Sequence, residues 1–186
     1  TVLIPREDYE IVDNWYVYGL KGTGSKRIVV EEAFVPDYRI HKLMDAHSTI
    51  SPGNKVNKGP LYKLPFGQVF TYSVTIPALG AYKGAFEAWL KYGKTRVSSF
   101  GVEAKTDPST QKLAAETSTE IDEMWNSINN NFERMMNAVT NNENLEINDR
   151  VQYRYQASAI VDRCVQGAAR LVKASGGASV YLGHMV

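Results

Sequence analysis

Several groups of residues in this sequence are of types that could do chemistry. His41, Asp45 and His47 gather two imidazoles and a carboxylate in one short stretch. Such groups ligate metals, but a metal site needs further strong ligands at fixed spacing, and none follows. They read as solvated loop residues, and no metal is expected. Lys91, Lys94 and Arg96 could grip phosphate, because a guanidinium matches phosphate oxygens. Cations closing a helix also answer its negative end, and taken alone that is the simpler reading. Ser175-Gly176-Gly177 could bring backbone N–H groups close to a ligand, since glycine offers no side-chain obstacle; taken alone it is a helix stop. Gly22-x-Gly24 lacks the third glycine of a dinucleotide fingerprint, with Arg27 in that place, and a strand-like run follows where the fingerprint needs a helix. It reads as a tight turn. Cys164 sits in an apolar stripe and reads as a buried thiol rather than a nucleophile. Met124, Met135 and Met136 read as core. Glu116, Glu120, Asp122 and Glu123 suit the early part of a helix and a solvated face better than paired acid catalysis. His184 reads as a helix residue, not a base.

The totals set bounds on what these groups can belong to. The chain has 186 residues, is 44% hydrophobic and 22% charged, and carries a net charge of +1. That composition fits a globular domain. Its balance provides no field that would steer nucleic acid or an acidic membrane surface, so neither partner is expected. The single cysteine excludes an internal disulfide framework and fits a reducing, cytoplasmic setting. The opening TVLIPREDYE has no basic region ahead of an apolar run, and both ends fall within structured-looking sequence. The expectation is a piece of a longer chain.

The elements that must position these groups centre on Leu64–Lys94. From Pro65 to Gly80 this stretch carries no charge; it then turns small and amphipathic. A segment so apolar must be covered on most sides, which predicts the central helix of a bundle, bent where Pro77 removes a donor. Its polar end and its Pro and Gly residues argue against a membrane span. Before it, residues 1–36 read as β, with strands over Tyr9–Tyr18 and Lys26–Val35 around a glycine-rich reversal at Gly19–Ser25. Residues 37–63 read as a long, mobile connection. After it, Asp107-Pro108 starts a second helix that reaches about Thr140, with Ile121, Trp125, Ile128, Phe132, Met135 and Val139 as its stripe. Asn148 or Asp149 is expected to cap a third helix reaching about Ser175, with Ala157, Val161, Cys164, Ala168 and Leu171 inward and Gly176-Gly177 as its stop. A fourth is expected to begin at Ala178. The predicted fold is mostly α: the end of a β-domain (1–40), a connecting loop (41–63), and an up-and-down helical bundle (64–186).

Together these pieces resemble one family. Trp15-x3-Gly19-Leu20-x-Gly22-Thr23-Gly24-Ser25 and Phe34-Val35-Pro36 are similar to the late β-domain of flavin-dependent aromatic monooxygenases with the acyl-CoA dehydrogenase fold. These are the oxygenase components related to p-hydroxyphenylacetate and seco-steroid phenol hydroxylases. Pro60–Gly67, Ala78–Gly80, Tyr92, Arg96, Phe100-Gly101 and Ser175–Gly177 carry the resemblance into the bundle. The chain departs from the family pattern by one extra residue between Arg96 and Phe100.

The resemblance implies reduced FMN or FAD bound between β-domain and bundle, a separate flavin reductase, O2 and a small aromatic substrate. It also implies a homotetramer centred on the helical domains. By position it implies flavin contacts at Lys63, Phe66, Arg96, Ser175 and Gly176, with Arg96 facing phosphate. Trp15, Thr23 and Ser25 would shape the β-domain instead. The implied chemistry moves one oxygen atom of O2 onto the ring carbon ortho to a phenol, in a chamber that keeps water out. Phe70 and Tyr72 would line that chamber. The catalytic base is unknown from these residues, since the family takes it from elsewhere, and this stretch alone is expected to be inactive. One alternative is an acyl-CoA dehydrogenase or oxidase. Against it, Gly67–Tyr72 lacks the carboxylate and guanidinium that would handle a CoA chain, and an uncharged, ring-lined mouth suits an apolar or phenolic molecule. A second alternative is an oligomerisation or scaffold module without activity of its own.

Overall fold

A computed structural model describes residues 1–181 and 183. The expected fourth helix shows a short 3-10 helix at Gly176–Val180; its continuation over 182 and 184–186, and with it His184, lies outside the described residues.

The β region is much shorter than the sequence predicts. Strand β1 spans Glu10–Val12 and strand β2 spans Arg27–Val29; they pair antiparallel with Ile11 opposite Ile28. Val2 bridges Ile40, tying the start of the chain to the end of this region. The rest of the tyrosine-rich run is loop. Pairing needs a partner strand, and alternation alone provides none. The glycine-rich reversal forms as expected, with Leu20 at φ 49° and Gly24 at φ 61° on either side of a 3-10 turn at Lys21–Thr23. Trp15 Nε1 and Thr23 Oγ1 both donate to the Leu20 carbonyl, each at 2.9 Å, so these two residues shape the turn. The connection that follows is not featureless. It holds helix α1 (Leu43–His47), helix α2 (Pro52–Val56) and a 3-10 turn at Pro60–Lys63.

Three long helices form the body: α3 (Phe66–Gly93), α4 (Pro108–Thr140) and α5 (Ile147–Ser175). Helix α3 packs chiefly on α5. It continues through Pro77, which lies on the exposed side, where water can serve the carbonyl that proline leaves without an N–H. Asp107 caps α4 as the sequence predicts, accepting from Thr110 N at 2.8 Å. Helix α5 starts earlier than predicted, behind Glu146; Asp149 instead pairs with Arg134 at 3.4 Å.

The core joins Tyr72, Leu79, Tyr82, Phe86 and Trp89 of α3 to Met124, Ile128 and Met135 of α4 and to Ala157, Cys164 and Leu171 of α5. Trp125, expected in the stripe, is 48% exposed, and Met124 takes the inward place beside it. Burial pushes the Cys164 thiol up, and its sulfur lies 4.0 Å from Met124 Sδ; the inert structural reading is the one its surroundings support. Inside the bundle Asn131 Nδ2 donates to Tyr72 Oη at 3.0 Å and to Gln156 Oε1 at 2.8 Å. These bonds satisfy polar atoms from all three helices at buried and part-buried positions.

Candidate functional site

The residues expected to touch one cofactor separate into two groups. A helix rises about 1.5 Å per residue, so the two ends of α3 lie roughly 40 Å apart. Lys63 and Phe66 sit at its start; Arg96 follows its end, and there it meets Ser175 and Gly176.

At the Arg96 end, a guanidinium Nη1 donates to the Ala174 carbonyl, at the C-terminal end of α5. The cation therefore answers the negative end of a neighbouring helix, not only that of its own. Gly176 has φ 67° and ψ −155°, a conformation essentially confined to glycine. A Cβ there would stand 2.9 Å from Arg96 Nη2. Glycine is thus required twice, by the backbone and by the approach of Arg96. The Gly176 N–H is taken by the Lys173 carbonyl, so it is not the free donor that the glycine pair suggested. Ser175 is 1% exposed and its hydroxyl donates to the Leu171 carbonyl at 2.9 Å.

Arg96 and Ala174 border a cleft of about 450 Å³ that also presents Ser98, Ser109 and Thr110. Arg96 keeps donors beyond the one it gives to Ala174. Ser98 and Ser109 add hydroxyls and the first turn of α4 a positive helix end, while Thr110 gives its N–H and hydroxyl to Asp107. Asp107 lines the same cleft. Its carboxylate is held below its usual range, first by the Thr110 backbone N–H and then by the Thr110 hydroxyl. The donor set suits a phosphate. The Asp107-Pro108 signal marks a helix start in the sequence, but only the fold brings that start beside Arg96.

At the other end, Lys63 Nζ donates to Asn142 Oδ1 at 2.7 Å and lies 3.5 Å from the Val139 carbonyl, which closes α4. Phe66 stacks on Phe70, with centroids 5.2 Å apart and planes at 26°. Phe66 is 44% and Phe70 57% exposed, and Val74 continues the same open, uncharged face. The water-excluding chamber expected here is not formed by these residues alone. Tyr72 does not face it: the ring is 2% exposed, packed 4.7 Å from Phe132 and held by Asn131. Its placement in a pocket is corrected to a place in the core. The helical period turns Tyr72 away from Phe66 and Phe70, which share a face at i, i+4.

The remaining candidates are accounted for structurally. His41 Nε2 lies 2.9 Å from Ser51 Oγ, and His47 stands edge-on to Phe66 at 6.3 Å. No group of three His, Cys, Asp or Glu side chains suited to a metal occurs among the described residues. Glu120 takes bonds from Tyr82 and Arg170, and Glu123 pairs with Arg163 at 2.9 Å. No helix among the described residues is long and apolar enough to cross a membrane.

A mostly helical chain with a short antiparallel hairpin and this cleft belongs to a defined class. Residues 72–186 match the family described as acyl-CoA dehydrogenase, C-terminal domain, and the chain belongs to that family. Within it the chain is similar to oxygenase components. It is 33% identical over 176 residues to the flavin-dependent monooxygenase oxygenase subunit HsaA of Rhodococcus jostii (strain RHA1), covering 94% of this chain and 46% of that protein. It is 33% identical over 99 residues to the oxygenase component of p-hydroxyphenylacetate 3-hydroxylase of Acinetobacter baumannii, covering 53% of this chain and 24% of the relative. The crystal structure of 3-HSA hydroxylase from Rhodococcus sp. RHA1 superposes with a TM-score of 0.89 at 30% identity, covering 99% of this chain and 48% of that one. The chain thus spans about half the length of the relatives it matches most extensively.

Proposed function

We propose that this chain is the C-terminal part of the oxygenase component of a two-component flavin-dependent monooxygenase. The whole enzyme would hydroxylate a phenolic or polycyclic aromatic substrate with O2 and a reduced flavin, FMN or FAD, delivered by a separate reductase. The observation that carries this reading is a cleft lined by Arg96, whose guanidinium lies against Gly176, in a chain similar along nearly all its length to such an oxygenase subunit. The flavin, when bound, supplies the oxygen-transfer chemistry. In this chain, Arg96 would hold phosphate with the donors that Ala174 leaves free, while Gly176 leaves room for its guanidinium. Ser175 would act indirectly, by fixing the end of α5.

Lys63 and Phe66 lie too far along α3 to reach the same cofactor within one chain. Their expected flavin contacts therefore belong to a second cofactor, shared in an oligomer, and this supports the homotetramer as part of the reading. So does the open face around Phe66, Phe70 and Val74, whose apolar surface needs a cover. The division into a β-domain end (1–40), connection (41–63) and bundle (64–186), and a cytoplasmic setting consistent with one buried thiol, belong to the same proposal.

The test is anaerobic titration of reduced FMN and reduced FAD into the protein, alone and within the full-length enzyme, for wild type and Arg96→Gln. Wild type is expected to bind one of the two, with affinity in the variant at least about tenfold weaker, as for loss of a charge-assisted pair. Absence of binding in the full-length enzyme would favour a scaffold module. Reduction of bound flavin by an acyl-CoA would favour a dehydrogenase.

A further inference from the structure

We propose that a second cleft, bounded by His47, Lys63 and Arg150, is a phosphate-binding site. It lies at the opposite end of α3 from Arg96 and does not rest on the phosphate contact proposed there, although Lys63 is shared with the flavin contact proposed at this end. The cleft holds about 250 Å³ and is also lined by Ser48, Thr49 and Glu143. Its basic groups come from three separate elements: the end of α1, the 3-10 turn before α3, and the first turn of α5.

Arg150 is the group that asks for a ligand. Among the described residues the other half-buried arginines have partners: Arg39 lies over the Tyr38 ring, and Arg96 bonds to the Ala174 carbonyl. Among the described residues the Arg150 guanidinium has no hydrogen bond, ion pair or ring partner, although its own carbonyl accepts from Gln68. Asp149 beside it is taken by Arg134. Glu143 lines the same cleft without pairing to Arg150 or Lys63. A guanidinium half removed from water and left unpaired is costly. This one also sits in the first turn of α5, where the helix end is already positive. An anion in the cleft offsets both penalties.

The donors indicate which anion. Lys63 directs hydrogens to Asn142 and toward Val139 and has a third to give. The Thr49 hydroxyl is given to the Ser48 carbonyl, but guanidinium, ammonium, imidazole and the Ser48 hydroxyl together still exceed what two carboxylate oxygens can accept. They suit the three terminal oxygens of a phosphate. Inorganic phosphate and an organic phosphate monoester share that chemistry.

NMR of the His47 ring provides a local readout, since the chain has three histidines and His47→Gln assigns the signal. Inorganic phosphate and phenyl phosphate would be titrated at constant ionic strength. Saturable movement of the His47 signal is expected in wild type and in Arg96→Gln. A dissociation constant at least about tenfold weaker is expected in Arg150→Gln, with partial rescue in Arg150→Lys. Tighter binding of phenyl phosphate would support a monoester ligand; equal binding would support free phosphate. Glu143→Gln, which removes the opposing charge, is expected to tighten binding whether or not Arg150→Gln folds. No saturable shift in wild type, an undiminished shift in folded Arg150→Gln, loss in Arg96→Gln, or no tightening in Glu143→Gln would overturn the proposal.

Discussion

The two ends of α3 solve the same problem with different materials. At each, a cation from outside a helix reaches the last carbonyls of a neighbour: Arg96 to Ala174 of α5, Lys63 to Val139 of α4. At the Arg96 end the contact is tightly built. The planar guanidinium fits against Gly176, beside a capped helix start and at the end of the helix that carries the fully buried Leu171. At the Lys63 end the cation is a flexible ammonium, and the neighbouring α1 is a five-residue helix with no buried residue. The difference teaches that a cation near a cleft serves helix-end carbonyls first and offers a ligand only its remaining donors.

The largest effect expected from this contrast is at Leu171. Leu171→Ala should cost about 2–5 kcal/mol, because a side chain with no exposure leaves a cavity. Phe66→Ala, on the open face, should cost much less. Urea denaturation followed by circular dichroism measures both, and equal losses would break the comparison.

A pair of glycines sharpens it. A Cβ on Gly167 would stand 2.2 Å from Tyr82 Cζ, and one on Gly67 would stand 2.3 Å from the His47 ring. Tyr82 is locked in the core, so Gly167→Ala should cost roughly 1–3 kcal/mol by overpacking. His47 belongs to the lightly held α1 and can move aside. Gly67→Ala also gains helix propensity, so its net change should lie within about 1 kcal/mol of zero. A large loss at Gly67 would show that the Lys63 end is as rigid as the other.

The smallest effect concerns pH at the α4 cap. The folded state holds the Asp107 carboxylate below its ordinary value through the Thr110 N–H and hydroxyl. Its stabilisation is therefore full above the unfolded carboxylate pKa of about 3.9 and is lost as pH falls through the lower folded value. Asp107→Asn keeps a capping oxygen without the charge. Thermal melts between about pH 5 and pH 2 should fall less steeply in the variant than in wild type. Parallel curves would show that the cap is indifferent to charge.

Much of this was legible in order along the chain. The helix start at Asp107-Pro108, the glycine stop of α5 and the three-helix body follow from local rules that act within a few residues. Strand lengths did not follow, because pairing is non-local: Tyr9–Tyr18 reads as strand, yet only Glu10–Val12 finds a partner within the sheet. Tyr72 was misplaced for a related reason. Its ring type suits a pocket, but its helical phase relative to Asn131 and Phe132 puts it inside.

By itself the sequence determined the family resemblance, the helices and their caps, because propensity, period and capping are properties of neighbours along the chain. Only the tertiary structure decided which cations converge and which stay unpaired. Arg96 beside Gly176, Lys63 beside Val139, and Arg150 without a partner among the described residues are set by residues far apart in sequence. Helix packing sets them, and no local pattern encodes them.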